Sequence, residues 1–176
     1  MKKNTIYTIG HSTHTIDQFI KILQVHKIGL VADVRTIPRS RHNPQFNENQ
    51  LRLDLEQHDI EYLHLVGLGG LRHTTKASVN TGWTNLSFRG FADYMQTLEF
   101  QKGIELLIET SKLKRTAIMC AEAVPWRCHR SLIGDALMVR DIEVQHIMSE
   151  KITKPHKITL RAKVNGVIIT YPETAQ

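Results

Sequence analysis

Short apolar runs of β-rich composition recur along this chain with helix-period segments between them, and that alternation constrains the fold more than any other feature. TIYTI at 5–9, GLVADV at 29–34, IEYLHLV at 60–66, TAIMC at 116–120 and EVQHIM at 143–148 read as strands. Between the first two, Ile16, Phe19, Ile20 and Leu23 fall at helical spacing, with Thr15 or Thr13 placed to cap and Asp17 in the first turn. Asn47 stands as the N-cap of a second helix carrying Leu51 and Leu55 on one face. Helical spacing resumes with Phe91, Tyr94, Met95 and Leu98, then with Ile104, Leu107 and Ile108, and again over 129–139, where Leu132, Ile133, Ala136 and Leu137 share a face. Strands that alternate with helices predict an α/β fold: a mostly parallel sheet with helices on both faces. The unbroken apolar run at 29–34 suits a strand buried from both sides. Near the end, ITLRAKV and VIITY flank Asn165-Gly166, a strong hairpin signal. The expected organisation is one domain over 1–176, with a C-terminal β-hairpin appended at 157–172. Residues 67–89, rich in Gly, Thr, Asn and Ser, read as a long loop, and a loop of that length in a compact domain is more often functional than idle.

A chain of 176 residues with 41% hydrophobic and 23% charged residues is ordinary for one globular domain. No apolar run approaches the length of a membrane span, and the opening MKKN leads straight into a strand-like segment without the pattern of a secretory leader. A cytoplasmic location with no membrane partner is therefore expected, and in that setting Cys120 and Cys128 are expected to be thiols. The net charge of +6 and pI of about 9.4 suit an anionic partner, either a small molecule or nucleic acid. Nothing in the sequence names a cofactor or an oligomeric state.

Ligands of open parallel sheets bind beyond the carboxyl ends of the strands. Three of the expected strands end in polar clusters: His11-Ser12, Asp33-Val34-Arg35, and Cys120-Ala121-Glu122 running on to Cys128-His129-Arg130 at a helix start. If all strands point the same way, these clusters share one edge. The segment CAEAVPWRCHR carries most of the information. A helix start offers unpaired N–H groups and a positive dipole end, which favour anions and lower a thiol pKa, so Cys128 is a candidate nucleophile. Arg130 adds charge, and Asp33, Glu122 and His129 are candidates for acid–base work. Arg35, Arg41 and Arg130 are candidates to hold a phosphate or carboxylate. His11 and Ser12 complete the polar edge, and the backbone of Gly69 and Gly70 is small enough to approach a ligand.

Each of these has a plain structural alternative: Asp33 and Arg35 can pair with one another, His11 can be a hydrogen-bonded core histidine, and Arg39, Arg41 and His42 can be a solvated loop face. Cys120, closing an apolar strand, is expected to be buried and inert. Two familiar patterns fail. Cysteine phosphatases and sulfurtransferases place an Arg after a Cys and five residues, whereas here six residues separate Cys120 from Arg127. Cys120, Glu122, Cys128 and His129 are metal-ligand types, but their spacing matches no zinc motif and no metal is assigned.

TIGHS at 8–12, DVRTIPRSR at 33–41, LGG at 68–70, FRGFADYM at 88–95 and CAEAVPWRCHR at 120–130 together resemble the signature of the domain of unknown function 488 family. The resemblance runs over nearly the whole chain and implies a compact α/β domain, usually bacterial or archaeal. It carries the family's polar signature onto His11, Ser12, Asp33, Arg35, Pro38, Ser40, Arg41, Gly69, Gly70, Glu122, Cys128, His129 and Arg130. Phe91 stands where the family often has Tyr, which removes a phenol there. The resemblance strengthens the site and leaves the reaction open. Three readings stand: an enzyme, such as a hydrolase or transferase, acting on an anionic small molecule, nucleotide-like compounds included; a nucleic-acid-binding or processing protein using the basic stretches at 35–42, 72–76 and 151–163; and a thiol-based redox module using Cys120 and Cys128.

Overall fold

In the computed structural model, which describes residues 3–174, the expected parallel α/β architecture is present. Strands β1 (Thr5–Gly10), β2 (Leu30–Asp33), β3 (Glu61–His64), β4 (Thr116–Cys120), β5 (Glu143–Ile147) and β6 (Thr153–Pro155) form one sheet in the order β3-β2-β4-β1-β5-β6. The pairings among the first five are parallel, and β6 runs antiparallel along β5. The helices are α1 (Ile16–Val25), α2 (Glu48–Glu56), α3 (Leu86–Tyr94), α4 (Leu98–Leu113) and α5 (Arg130–Met138).

Successive strand residues point to opposite faces, so each central strand feeds two cores. Leu30, Ala32, Val34 and Ile118 join Phe91, Phe100, Ile104, Leu132 and Leu137 from α3, α4 and α5. Val31, Ala117, Met119 and Ile9 join Phe19, Leu23, Leu51 and Leu55 from α1 and α2. A slip of one residue would exchange the two cores, so burial on both faces fixes the register. Each fully buried Leu or Phe contributes about 1.5–3 kcal/mol to that preference.

Local chemistry sets the helix starts. Thr15, rather than Thr13, caps α1 through a capping box: its hydroxyl accepts from Gln18 N, and the Gln18 side chain accepts from Thr15 N. Asn47 occupies the N-cap position of α2 as expected, but its side chain accepts from Ser40 N and ties down the preceding loop instead. α3 starts inside the stretch expected to be loop, because Asn85 accepts from Ser87 N and Phe88 N and caps it. What remains of the loop is organised by Asp93 of α3, whose carboxylate accepts from Thr74 Oγ1, Thr75 N, Ser78 Oγ and Asn80 Nδ2.

Two further departures lie near the C-terminus. β6 was not expected: its three residues are all exposed and end in Pro155, so they carry no apolar alternation. The hairpin exists as β7 (Lys163–Asn165) and β8 (Ile168–Thr170), but Asn165 pairs with Ile168 and the turn falls on Gly166-Val167. Gly166 has φ 62, and glycine at the first central position suits a type II′ turn rather than an Asn-Gly type I′ turn. The hairpin is also no loose appendage, since Ile169 and Tyr171 are buried in the core. Among the described residues no helix is long and apolar enough to cross a membrane.

Candidate functional site

The strands that carry the polar clusters, β2, β4 and β1, are neighbours in the sheet, and they end on the same edge. α1, following β1, packs on one face and α5, following β4, on the other, which opens a crevice at the strand ends. A cavity of about 360 Å³ lies there. Of the expected site residues, Arg35, Gly70, Glu122, Cys128 and His129 line it. Arg39, Arg127 and Cys120 join them, with Leu71 and Phe88 as apolar wall. His11, Ser12, Asp33, Gly69, Arg41 and Arg130 do not line it. Arg41 is exposed, and Ser12 is a left-handed turn residue (φ 48) whose N–H donates to Ala121 O.

Cys128 sits at the start of α5 with its sulfur among polar groups. Arg130 N lies 3.4 Å from Sγ, His129 Nδ1 3.5 Å, and Cys120 Sγ 2.7 Å. The Val34 carbonyl, 2.9 Å from His129 Nε2, can only accept, so it fixes the proton on Nε2 and turns the Nδ1 lone pair toward the thiol. A thiol, an imidazole and the carbonyl that orients it thus stand in series. Gly70 makes room for this ring, since a Cβ there would lie 2.6 Å from His129 Nδ1, and Gly69 lets the same loop pack on Thr36. The hydrogen bond from Cys120 holds the Cys128 thiol well below its ordinary range against burial, helped by His129 and Arg130. Burial and the bond to Cys128 push the Cys120 thiol well up. Cys120 is buried as expected, but its contact with Cys128 and its place in the cavity wall were not foreseen.

Asp33 is fully engaged. Its two oxygens accept from Arg35 N (3.0 Å), Arg35 Nε (2.9 Å), Arg35 Nη2 (2.6 Å) and the Tyr62 hydroxyl (2.6 Å). Burial and then the Asp33 carboxylate push the Tyr62 phenol up, which keeps it a donor. Arg35 Nη2 also donates to Phe46 O, and Nη1 lies 3.4 Å from His11 Nε2. His11 stacks on Phe46 at 4.2 Å, and the Ser12 carbonyl, which can only accept, holds its proton on Nδ1. Burial, with the neighbouring Arg35 charge, lowers its pKa to about 4, so His11 is neutral near pH 7. His11 and Asp33 therefore position Arg35, which lines the cavity and keeps one Nη1 proton without a partner among the described residues.

Arg130 differs. It is 1% exposed and, among the described residues, has no carboxylate partner and no hydrogen-bond partner for its Nε. Nη2 donates to Glu122 O and Nη1 to Thr8 Oγ1 (3.3 Å). From Thr8 a buried chain continues to His146 Nδ1 (2.7 Å), from His146 Nε2 to His156 Nδ1 (3.0 Å), and from His156 Nε2 to Asp135 Oδ1 (2.8 Å). A guanidinium only donates and a carboxylate only accepts, so with neutral imidazoles every bond in the chain points from Arg130 to Asp135. Burial, then the neighbouring His156 ring and the Arg130 charge, lower His146 to about 3. Tyr171 and the Thr159 N–H complete the shell of Asp135.

Sequence reasoning missed this chain because its members come from β1, α5, β5 and the C-terminal segment. One signal was available: Asp135 lies amid the apolar face of α5, and a buried acid must be partnered. Among the described residues, no three His, Cys, Asp or Glu side chains gather as a metal site would need.

Fold and cavity together define a parallel α/β protein with a paired-thiol, arginine-lined site at its strand ends. The chain belongs to the family described as Domain of unknown function DUF488, whose model matches residues 15–137. That stretch takes in the cavity-lining residues, while His11, Ser12, β5 and the hairpin lie outside it. No curated protein and no solved structure matches the chain.

Proposed function

We propose that this chain is an enzyme, a hydrolase or transferase, in which Cys128 attacks a phosphate- or carboxylate-bearing small molecule, nucleotide-like compounds included. The observation that carries this reading is the Cys128 sulfur in the cavity wall, 3.5 Å from a His129 ring oriented by Val34 O and 3.4 Å from the Arg130 N–H. His129 receives the thiol proton and returns it to the leaving group. Among the described residues lining the cavity, Arg35, Arg39 and Arg127 outnumber the one acid, Glu122, a balance that favours an anion. The Glu122 carboxylate has no hydrogen-bond or ion-pair partner among the described residues, so it is the group left to activate water or an acceptor. Asp33 is assigned to holding Arg35 rather than to proton transfer.

Alkylation by iodoacetate, an anion, compared with neutral iodoacetamide, tests the reading. Cys128 should react well below pH 8, iodoacetate should be favoured beyond its intrinsic reactivity, and inorganic phosphate should slow it. A thiol that ionises near the ordinary value of about 8.5, with no preference for the anion, would overturn it.

A nucleic-acid reading has one observation in its favour. Trp126 is 60% exposed beside Lys154 (5.9 Å) at a second cavity lined also by Lys157, a base-stacking platform with cations. Binding of single-stranded oligonucleotides that weakens steeply with salt would favour it.

A further inference from the structure

The short turn Pro125–Arg127 folds the segment after β4 back on itself and brings Cys128 Sγ to within 2.7 Å of Cys120 Sγ. That is roughly 0.7 Å more than a disulfide bond of about 2.05 Å, a gap that side-chain adjustment closes. Both cysteines line the cavity, while they are only 4% and 7% exposed. A small oxidant reaches them, but a cysteine on a second protein molecule does not. We propose that Cys120 and Cys128 form a reversible intramolecular disulfide when a hydroperoxide enters the cavity, and that this bond switches the site off. The switching consequence rests on the reading of Cys128 as nucleophile; the bond itself does not.

The two sulfurs are suited to different steps. Cys128, held low by its donors, is the thiolate that attacks, and Cys120, held as a thiol, resolves. The Cys128 thiolate attacks one oxygen of hydrogen peroxide, the O–O bond breaks, and hydroxide leaves, giving a sulfenic acid. The Cys120 sulfur then attacks the Cys128 sulfur; the S–O bond breaks, and the departing hydroxyl takes the Cys120 proton and leaves as water. With the first hydroxide protonated from solvent, two thiols and one peroxide become one disulfide and two waters.

The test treats the reduced wild-type protein with stoichiometric hydrogen peroxide and follows intact mass, free-thiol count and non-reducing gel mobility. The expected result is a monomer that has lost two hydrogens and both titratable thiols, with both restored by dithiothreitol. In Cys120→Ser the same treatment should stop at a dimedone-reactive sulfenic acid on Cys128. Wild type that accumulates sulfenic or sulfinic acid with Cys120 still titratable, or that forms disulfide-linked dimers, would overturn the proposal, and that result needs no variant to fold. The alkylation comparison above, run on reduced protein, fails or succeeds separately. A disulfide that forms while reduced Cys128 behaves as an ordinary thiol leaves the bond standing and removes the enzyme reading.

Discussion

Two arginines are buried near the same sheet edge, and they are held in opposite ways. Arg35 is 7% exposed and meets the Asp33 carboxylate through Nε and Nη2. Arg130 is 1% exposed and reaches Asp135 only through Thr8, His146 and His156, with its Nε unpartnered. Burying a charge is costly unless a counter-charge and hydrogen bonds surround it. Arg35 is therefore a closed structural pair with a proton to spare for the cavity. The Arg130 charge is incompletely compensated, and it lowers the pKa of both cavity thiols, Cys120 and Cys128. One guanidinium shapes the pocket, and the other tunes its sulfur.

The largest effect should come from breaking the closed pair. Asp33→Ala leaves Arg35 buried without its acid and should cost about 3–5 kcal/mol in denaturant unfolding. A loss near 1 kcal/mol would mean that Arg35 swings to solvent and that the contrast with Arg130 is false. Acid comes next, and it acts beside both arginines. His11 and His146 are held neutral in the fold, at about 4 and about 3, against 6.5 in the unfolded chain. The unfolded state binds more protons below pH 6.5, so stability should fall as the pH drops from about 6.5 toward 4, by up to about 3 kcal/mol per histidine. Thermal melts that stay flat over that window would remove both histidines from the account.

Arg130→Met should change stability by no more than about 1–2 kcal/mol, because it removes an incompletely paired charge and keeps the volume. It should also raise the Cys128 pKa, seen as slower alkylation at mildly acidic pH. If this variant instead destabilises as much as Asp33→Ala, the two arginines are equivalent. The smallest effect should be that of Tyr62→Phe, which removes one of the bonds to Asp33 and should cost about 1 kcal/mol.

Much of the scaffold was legible in the sequence because burial on both faces of the sheet leaves a direct trace in composition. The runs at 29–34 and 116–120 are strands where expected, and Leu132, Ile133, Ala136 and Leu137 do form the buried side of α5. β6, exposed throughout, left no such trace. The hairpin was visible, but its turn slipped by one residue because Gly166, rather than Asn165, takes the positive φ.

The site divides in the same way. Cys128, His129 and Glu122 could be placed from sequence, since a strand end and a helix start are local features and the shared edge follows from parallel strands. Which strands are neighbours is not local. The order β2-β4-β1 brings Val34 O to His129 and Arg35 to the cavity, and the packing of α5 decides that Cys120 faces Cys128 rather than the core alone. The sequence by itself determined that a polar edge with a thiol at a helix start would exist. Only the tertiary structure decided which charges there are neutralised and which remain available, because that depends on partners far apart in the chain and on the loss of water around them.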